Sequence, residues 1–291
     1  MEEKMNKELK SLTITYLSKV SFASLNGSDS DVDNINTIKK ITLENKDELP
    51  YVSSQAIRRA LRDQLQNLGW KLSEITGDKD SKHPPKTQCD PTNFIDDDLF
   101  GFMDAQKETN KRTSPIRVES LISLSKYQGD LDFGTNFMGM EKGINPNIYE
   151  TEIHSGIYRG TILIELDRIG KGEGFENELS NDEKTKRVNS FIDAFQNLWS
   201  SGRQSRFLAD ISPKFFAAAI MYSKNPIFLE AVKEPIKISE LESVKNDYSD
   251  FIKEHCFAAQ KSIFDKIDGE CLTLKDGFEK IKNWVKEYYG K

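Results

Sequence analysis

Residues 11–23 alternate with period two, and no other stretch limits the fold as much. Leu12, Ile14, Tyr16, Val20 and Phe22 fall on one side, and Ser11, Thr13, Thr15, Lys19 and Ser21 on the other. Successive side chains of a strand point to opposite faces. The run therefore predicts a half-buried strand that must pair into a sheet and be covered on its apolar side.

The next signal has a different period. Pro50-Tyr51-Val52-Ser53-Ser54-Gln55-Ala56-Ile57-Arg58-Arg59-Ala60-Leu61-Arg62 reads as a helix start, uninterrupted by Gly or Pro until Gly69. Ser53 and Ser54 suit the cap, and Ile57, Leu61, Leu65 and Leu68 form one apolar stripe at helical spacing. Arg58, Arg59 and Arg62 fall on its flank and rear. Two hydroxyls, the Gln55 amide and three guanidinium groups thus gather near a helix N-terminus, the donor set that a phosphate backbone requires. The same residues also describe an ordinary capped helix with a solvated arginine face.

Residues 69–112 break the rhythm with Gly77-Asp78-Lys79-Asp80-Ser81-Lys82, His83-Pro84-Pro85 and Asp96-Asp97-Asp98. A long insertion of this kind in a compact domain is usually functional or mobile. The aspartate triplet reads as a charge cluster on the first turn of a helix, before Leu99-Phe100-Gly101. Strand character returns over 116–127, with Val118, Ile122 and Leu124 on one face. Residues 130–152 form a Gly-rich excursion, Phe133-Gly134-Thr135-Asn136-Phe137-Met138-Gly139-Met140 and then Gly143-Ile144-Asn145-Pro146, readable as a loop packed on its own core or as a hairpin with a partner elsewhere. Over 157–169 the alternation resumes, with Ile162, Ile164 and Leu166 inward and Arg159, Glu165 and Asp167 outward. Gly170-Lys171-Gly172-Glu173-Gly174 lacks the setting of a dinucleotide site and the Lys-Ser/Thr of a P-loop, and reads as a flexible connector.

An amphipathic helix follows over 182–199, carrying Val188, Phe191, Ile192, Phe195, Leu198 and Trp199. A fourth strand lies at 207–211, at 215–222, or at both. Phe251, Ile252, Phe257, Ile263 and Phe264 predict helices, and a last helix covers 277–289. The order strand, helix, strand, strand, helix, strand is that of a ferredoxin-like or RRM fold, so the expected class is α+β with a βαββαβ palm. The base-stacking aromatics of an RRM sheet are missing around Tyr158-Arg159-Gly160, which moves any RNA contact to helix starts and loops.

Composition narrows the function. No apolar run approaches the roughly 18 residues of a membrane span, and the charged N-terminus is unlike a signal peptide, which predicts a cytoplasmic protein with no membrane partner. Cys89, Cys256 and Cys271, with His83, His154 and His255, fall in no disulfide or zinc pattern, so no metal and no cofactor are expected. A net charge of −6 opposes a uniformly basic nucleic-acid surface and leaves room only for a local basic groove.

Five segments, in this order, resemble one family. They are Val52-Ser53-Ser54-Gln55-Ala56-Ile57-Arg58-Arg59, Leu99-Phe100-Gly101-Phe102-Met103, Thr113-Ser114-Pro115-Ile116-Arg117-Val118, Ile153-His154-Ser155-Gly156-Ile157-Tyr158 and Gly202-Arg203-Gln204-Ser205-Arg206. Across residues 8–235 the chain resembles the CRISPR-associated backbone subunit of Cascade, the Cas-seven family, in its DevR or type I-B branch. The resemblance implies a single modified RRM-like domain, with a palm over about 8–69, 114–126 and 154–223. It implies a fingers insertion at 70–113, a thumb hairpin at 127–153 and a helical C-terminal segment at 224–291. It further implies RNA contacts by Ser53, Ser54, Gln55, Arg58, Arg59, Arg62, Arg203, Gln204 and Arg206, and a thumb wedge of Phe133, Phe137 and Met138.

The function expected from this resemblance is structural, with no catalytic residue. Copies of the chain would polymerise head to tail along CRISPR RNA, beside other Cascade subunits, and present the guide for pairing with target DNA. A second reading is a metal-dependent endonuclease of the type III backbone kind, which would use Asp29, Asp31 and Asp33. That loop lacks the Gly and closing Glu of an EF-hand and reads first as a solvated turn. A third reading, a transcriptional regulator, rests on the DevR label alone, since no helix-turn-helix is identifiable.

Overall fold

A computed structural model of the chain describes residues 8–28, 35–77, 85–104, 110–143, 145–200, 206–264 and 266–290. The Ser11–Ala23 strand is central to a nine-stranded sheet among these residues. It pairs antiparallel with His154–Glu165 on one side and Phe215–Met221 on the other. Outward from His154–Glu165 come Ile116–Val118 and Leu121–Ser123, then Glu48–Val52 and Lys40–Thr42. Beyond Phe215–Met221 come Ile252–Ala259 and Leu272–Thr273.

The strand expected to be half-buried is buried on both faces from Ser11 to Ser18. On one face Leu12, Ile14 and Tyr16 pack with Ile57 and Leu61 of α1 (Ser54–Asn67), Phe191 and Phe195 of α3 (Asn181–Gln196), and Phe278 and Trp284 of α5 (Leu274–Tyr289). On the other, Leu17 joins a second core of Phe215, Phe228, Val232, Phe257 and Leu241 of α4 (Ile238–Asp247). Thr13 and Thr15 lie inside as well, and Thr15 Oγ1 meets Thr161 Oγ1 at 3.1 Å. Alternation shows a strand, but the layer that covers its polar face arrives from residues two hundred positions later.

Several further expectations change in three dimensions. The 116–127 strand is two short strands, interrupted at Glu119 and Ser120, although the Glu119 N–H still donates to the Thr161 carbonyl at 2.9 Å. That break shifts the parity, so Ile116, Val118, Leu121 and Ser123 are buried while Leu124 is exposed. Of the two choices for the fourth strand, Phe215–Met221 is the strand, and Asp210 makes only an isolated bridge to Trp199. The C-terminal region is not wholly helical, because Ile252–Ala259 is a strand against Phe215–Met221. Both faces of that strand are covered, which removes the period-two signature from its sequence. Leu68 lies past the end of α1 and is exposed, while Ala60 and Gln64 complete the buried stripe. Glu165, expected outward, is buried beside Arg117, Arg168 and Lys224 at 2.6, 3.3 and 2.9 Å.

Within 85–113, α2 (Ile95–Phe100) does start with the three aspartates, and all three are buried. Asp98 is clamped by Arg112 at 2.7 Å and Arg187 at 2.9 Å, and accepts the Gly170 N–H at 3.1 Å. Arg112 Nη1 donates in turn to the carbonyls of Lys171 and Glu173, at 2.9 and 3.1 Å. The glycine stretch expected to be a flexible connector is therefore a loop wrapped around a buried guanidinium. Gly101 ends α2 at φ +71, where a Cβ would sit 2.2 Å from the Arg112 carbonyl oxygen.

Candidate nucleic-acid interface

The start of α1 is capped as the sequence predicts, with the Ala56 N–H donating to Ser53 Oγ at 3.4 Å. It is also anchored more firmly than a free anion site. The Ser53 N–H donates to Asn26 Oδ1 at 2.9 Å and the Ser54 N–H to Ser120 Oγ at 3.2 Å. Gln55 is exposed, and Ser54 Oγ donates to its Oε1 at 3.1 Å.

The three arginines separate. Arg59 projects into solvent and, among the described residues, forms an i,i+4 pair with Asp63 at 2.9 Å. Arg58 is half-buried and donates to the Phe100 carbonyl at 3.4 Å; burial and the neighbouring Arg62 lower its pKa. Arg62 pairs with buried Asp96 at 3.4 Å and lies over the Phe100 ring at 4.6 Å. Two of the three thus tie α1 to α2, a contact that the aspartate triplet in the sequence does not announce.

The excursion at 130–152 is a hairpin of Leu131–Asn136 and Asn147–Glu152, widened by Ile35–Asn36 running parallel to its second strand. Its large apolar side chains are not folded onto the core. Phe133 is 60% exposed, Phe137 56% and Met138 93%, beside exposed Leu131, Met140 and Ile148. Arg206 reaches the same hairpin, paired with Asp132 and stacked over the Tyr149 ring at 4.9 Å.

One hydrogen-bonded strip joins the helix start to the hairpin. The Lys39 N–H donates to the carbonyl of Asn26, whose side chain holds Ser53, and the Tyr51 N–H donates to the Lys39 carbonyl, both at 2.9 Å. The Ile38 N–H donates to Glu152 Oε2 at 2.8 Å, and Lys40 Nζ reaches Glu152 Oε1 at 2.9 Å and the Tyr127 ring at 4.3 Å. At the hairpin base His154 Nδ1 and Tyr158 OH lie 2.7 Å apart, and burial holds this imidazole below the usual histidine range. Asn26, Lys40 and Glu152 escape sequence reasoning. Only the Asn26-Gly27 turn signal marks any of them.

Arg203 and Gln204 lie outside the described residues, as do Asp29, Asp31 and Asp33. Among the described residues no cluster of three or more His, Cys, Asp or Glu side chains could hold a metal ion. No described helix is long and apolar enough to cross a membrane.

The fold has counterparts. A chain of a "CRISPR RNA-guided surveillance complex, pre-nicking" superposes with a TM-score of 0.64 at 14% identity, over 94% of this chain and 100% of that one. A chain of a "CRISPR RNA-guided surveillance complex" does so at 0.61 and 16% identity, over 94% and 99%. In sequence, a 79-residue segment is 37% identical to the CRISPR-associated protein Cas7/Cst2/DevR of Myxococcus xanthus (strain DK1622), covering 23% of this chain. That match spans about a quarter of the relative's length, 26%. The family profile described as CRISPR-associated negative auto-regulator DevR/Csa2 matches residues 14–240, well over half of the sequence, and the chain belongs to that family.

Proposed function

We propose that the protein is an RNA-binding backbone subunit of a type I CRISPR surveillance complex. Copies would line up along the guide RNA, next to other subunits of the complex, and present it for pairing with target DNA. The observation that carries this reading is the joined platform. A capped helix start with exposed Gln55 and Arg59 shares one hydrogen-bonded strip with a hairpin whose apolar side chains are exposed rather than packed on either core of the described residues. The strand order 215–221, 11–23, 154–165, 116–123, with α1 and α3 on one face, supports reading the centre as an RRM-like palm. Residues 70–113 then form the fingers and 127–153 the thumb.

The role is structural and the setting cytoplasmic. Phosphate contacts at the helix start carry no sequence information, which suits a protein that must accept any guide. Arg203 and Gln204 belong to the same proposal through the family motif, as do Ser53, Ser54 and Arg58 at the helix start. Phe133, Phe137 and Met138 are the wedge. A regulator of the helix-turn-helix kind has less support, because no two described α-helices are joined by the three- or four-residue turn that motif uses.

The test is binding of single-stranded RNA by the purified chain. Affinity should be independent of base sequence and fall with salt, with a log–log slope of about −0.7 per phosphate neutralised. Gln55→Ala with Arg59→Ala, which touches neither core, should flatten that slope while the unfolding midpoint stays within error. Unchanged binding refutes the helix-start assignment. Magnesium-dependent cleavage of a guide-matched RNA, lost with Asp31→Ala, would favour the endonuclease reading instead.

A further inference from the structure

Arg206 stands in the segment that the family resemblance assigns to RNA, yet its guanidinium is already occupied. We propose that Arg206 is a positioning residue: with Asp132 and Tyr149 it clamps one face of the hairpin to the sheet and turns the other, apolar face outward. The inference rests on the RNA-binding reading only for the purpose the hairpin serves; the clamp itself stands on contacts within the chain.

The register defines the two faces. Directly opposed residues of an antiparallel pair share a face. Asp132 opposes Thr151 and Gly134 opposes Tyr149, which places these four together. Leu131 opposes Glu152, Phe133 opposes Glu150 and Thr135 opposes Ile148, which places Leu131, Phe133 and Ile148 on the reverse side. Arg206 closes over the first face. It pairs with Asp132, donates to Thr151 Oγ1 at 3.4 Å and lies 4.9 Å from the Tyr149 ring centroid.

Gly134 makes the stacking possible. A Cβ at that position would fall 2.4 Å from Tyr149 Cζ, so any side chain there would lift the ring away. Arg206 is itself held by its neighbour. Phe207 is buried, contacts Phe22 with ring centroids 5.4 Å apart, and lies beneath the same guanidinium at 5.3 Å. The guanidinium is thus shared among a carboxylate, a hydroxyl and two aromatic rings, and a phosphate could take it only by displacing Asp132. On the reverse side Lys40 and the Ile38 N–H hold Glu152 near the base. Beyond Glu152, Leu131, Phe133 and Ile148 remain open to solvent.

Hydrogen exchange across 131–152 in the full-length, RNA-free protein tests the clamp. Arg206→Ala should speed exchange about five- to tenfold, the loss of one ion pair with its cation–π contact, and Asp132→Asn, which loses the ion pair alone, about two- to fivefold. The exchanged pair, Asp132→Arg with Arg206→Asp, should recover most of the protection. Wild-type exchange in both single variants overturns the proposal. A second arm measures binding of a thirty-nucleotide oligouridylate against salt, where Arg206→Ala should keep the wild-type slope. A slope shallower by about 0.7, with hairpin exchange unchanged, makes Arg206 a phosphate ligand and also overturns it. If the wild-type chain binds no oligonucleotide, the RNA reading fails, and the exchange arm alone decides the clamp.

Discussion

Replacing Asp98 by alanine separates two views of the α2 aspartates. A solvated first-turn aspartate favours its helix through the macrodipole, and its loss would cost about 0.3–1 kcal/mol. The structure calls for more. Asp98 has no exposed surface, and the Arg112 and Arg187 side chains are 1% and 3% exposed. Arg112 and Gly170 occupy one carboxylate oxygen and Arg187 the other. Removing the carboxylate leaves two buried cations short of a counter-charge, and breaking a buried pair from one side costs about 3–5 kcal/mol. The burden should fall unequally. Arg187 keeps the Glu183 carboxylate at 3.0 Å, whereas Arg112 keeps, among the described residues, the carbonyls of Asp98, Arg168, Lys171 and Glu173 and the Phe175 ring, with no carboxylate in direct contact. Urea unfolding of the full chain should therefore show a loss of about 3–5 kcal/mol. Double-mutant cycles should give a larger coupling for Asp98 with Arg112 than with Arg187. A loss below about 1 kcal/mol, or equal couplings near zero, would refute the clamp and restore the surface reading.

Gly101→Ala should cost at least ~2 kcal/mol in the same assay, because it combines a left-handed backbone with a Cβ against the Arg112 carbonyl; a neutral result would mean the turn can open. Leu61→Ala, fully buried under the sheet, should cost about 2–5 kcal/mol. By contrast Phe137→Ala with Met138→Ala should change the monomer by no more than about 0.5 kcal/mol, as expected of solvent-exposed positions, while shortening assemblies on a guide RNA. A large loss of melting temperature with normal assemblies would refute the thumb assignment. For His154, burial outweighs the raising influences of the Lys126 carbonyl and Asp130, so the folded pKa lies below the unfolded value of about 6.5. As pH falls through that region the unfolded chain binds more protons, so stability is lost on acidification and is fully present above it. An NMR titration should place the His154 midpoint below about 6.5, and a midpoint above it would contradict the burial.

The sequence by itself determined the elements whose signal is local. Period two placed the Ser11–Ala23 strand, and period 3.6 placed α1, α3 and α5. Ser53 announced its cap, while glycines between large apolar residues marked an excursion at 130–152 without deciding between a packed loop and a hairpin. Each of these depends on neighbours within a few positions, where side-chain spacing and backbone donors are readable directly. Tertiary structure alone decided what lies on each face. Nothing near residue 13 says that Phe215, Phe228 and Phe257 belong to a second core on its polar side. Nothing near Asp98 says that Arg112 and Arg187 will close on it, and a carboxylate reads the same in sequence whether water or two guanidiniums surround it. Nothing near Arg206 says that Asp132, 74 positions earlier, will claim its charge. Burial and ion pairing are properties of the space around a residue, and that space is filled by segments that local periodicity cannot bring together.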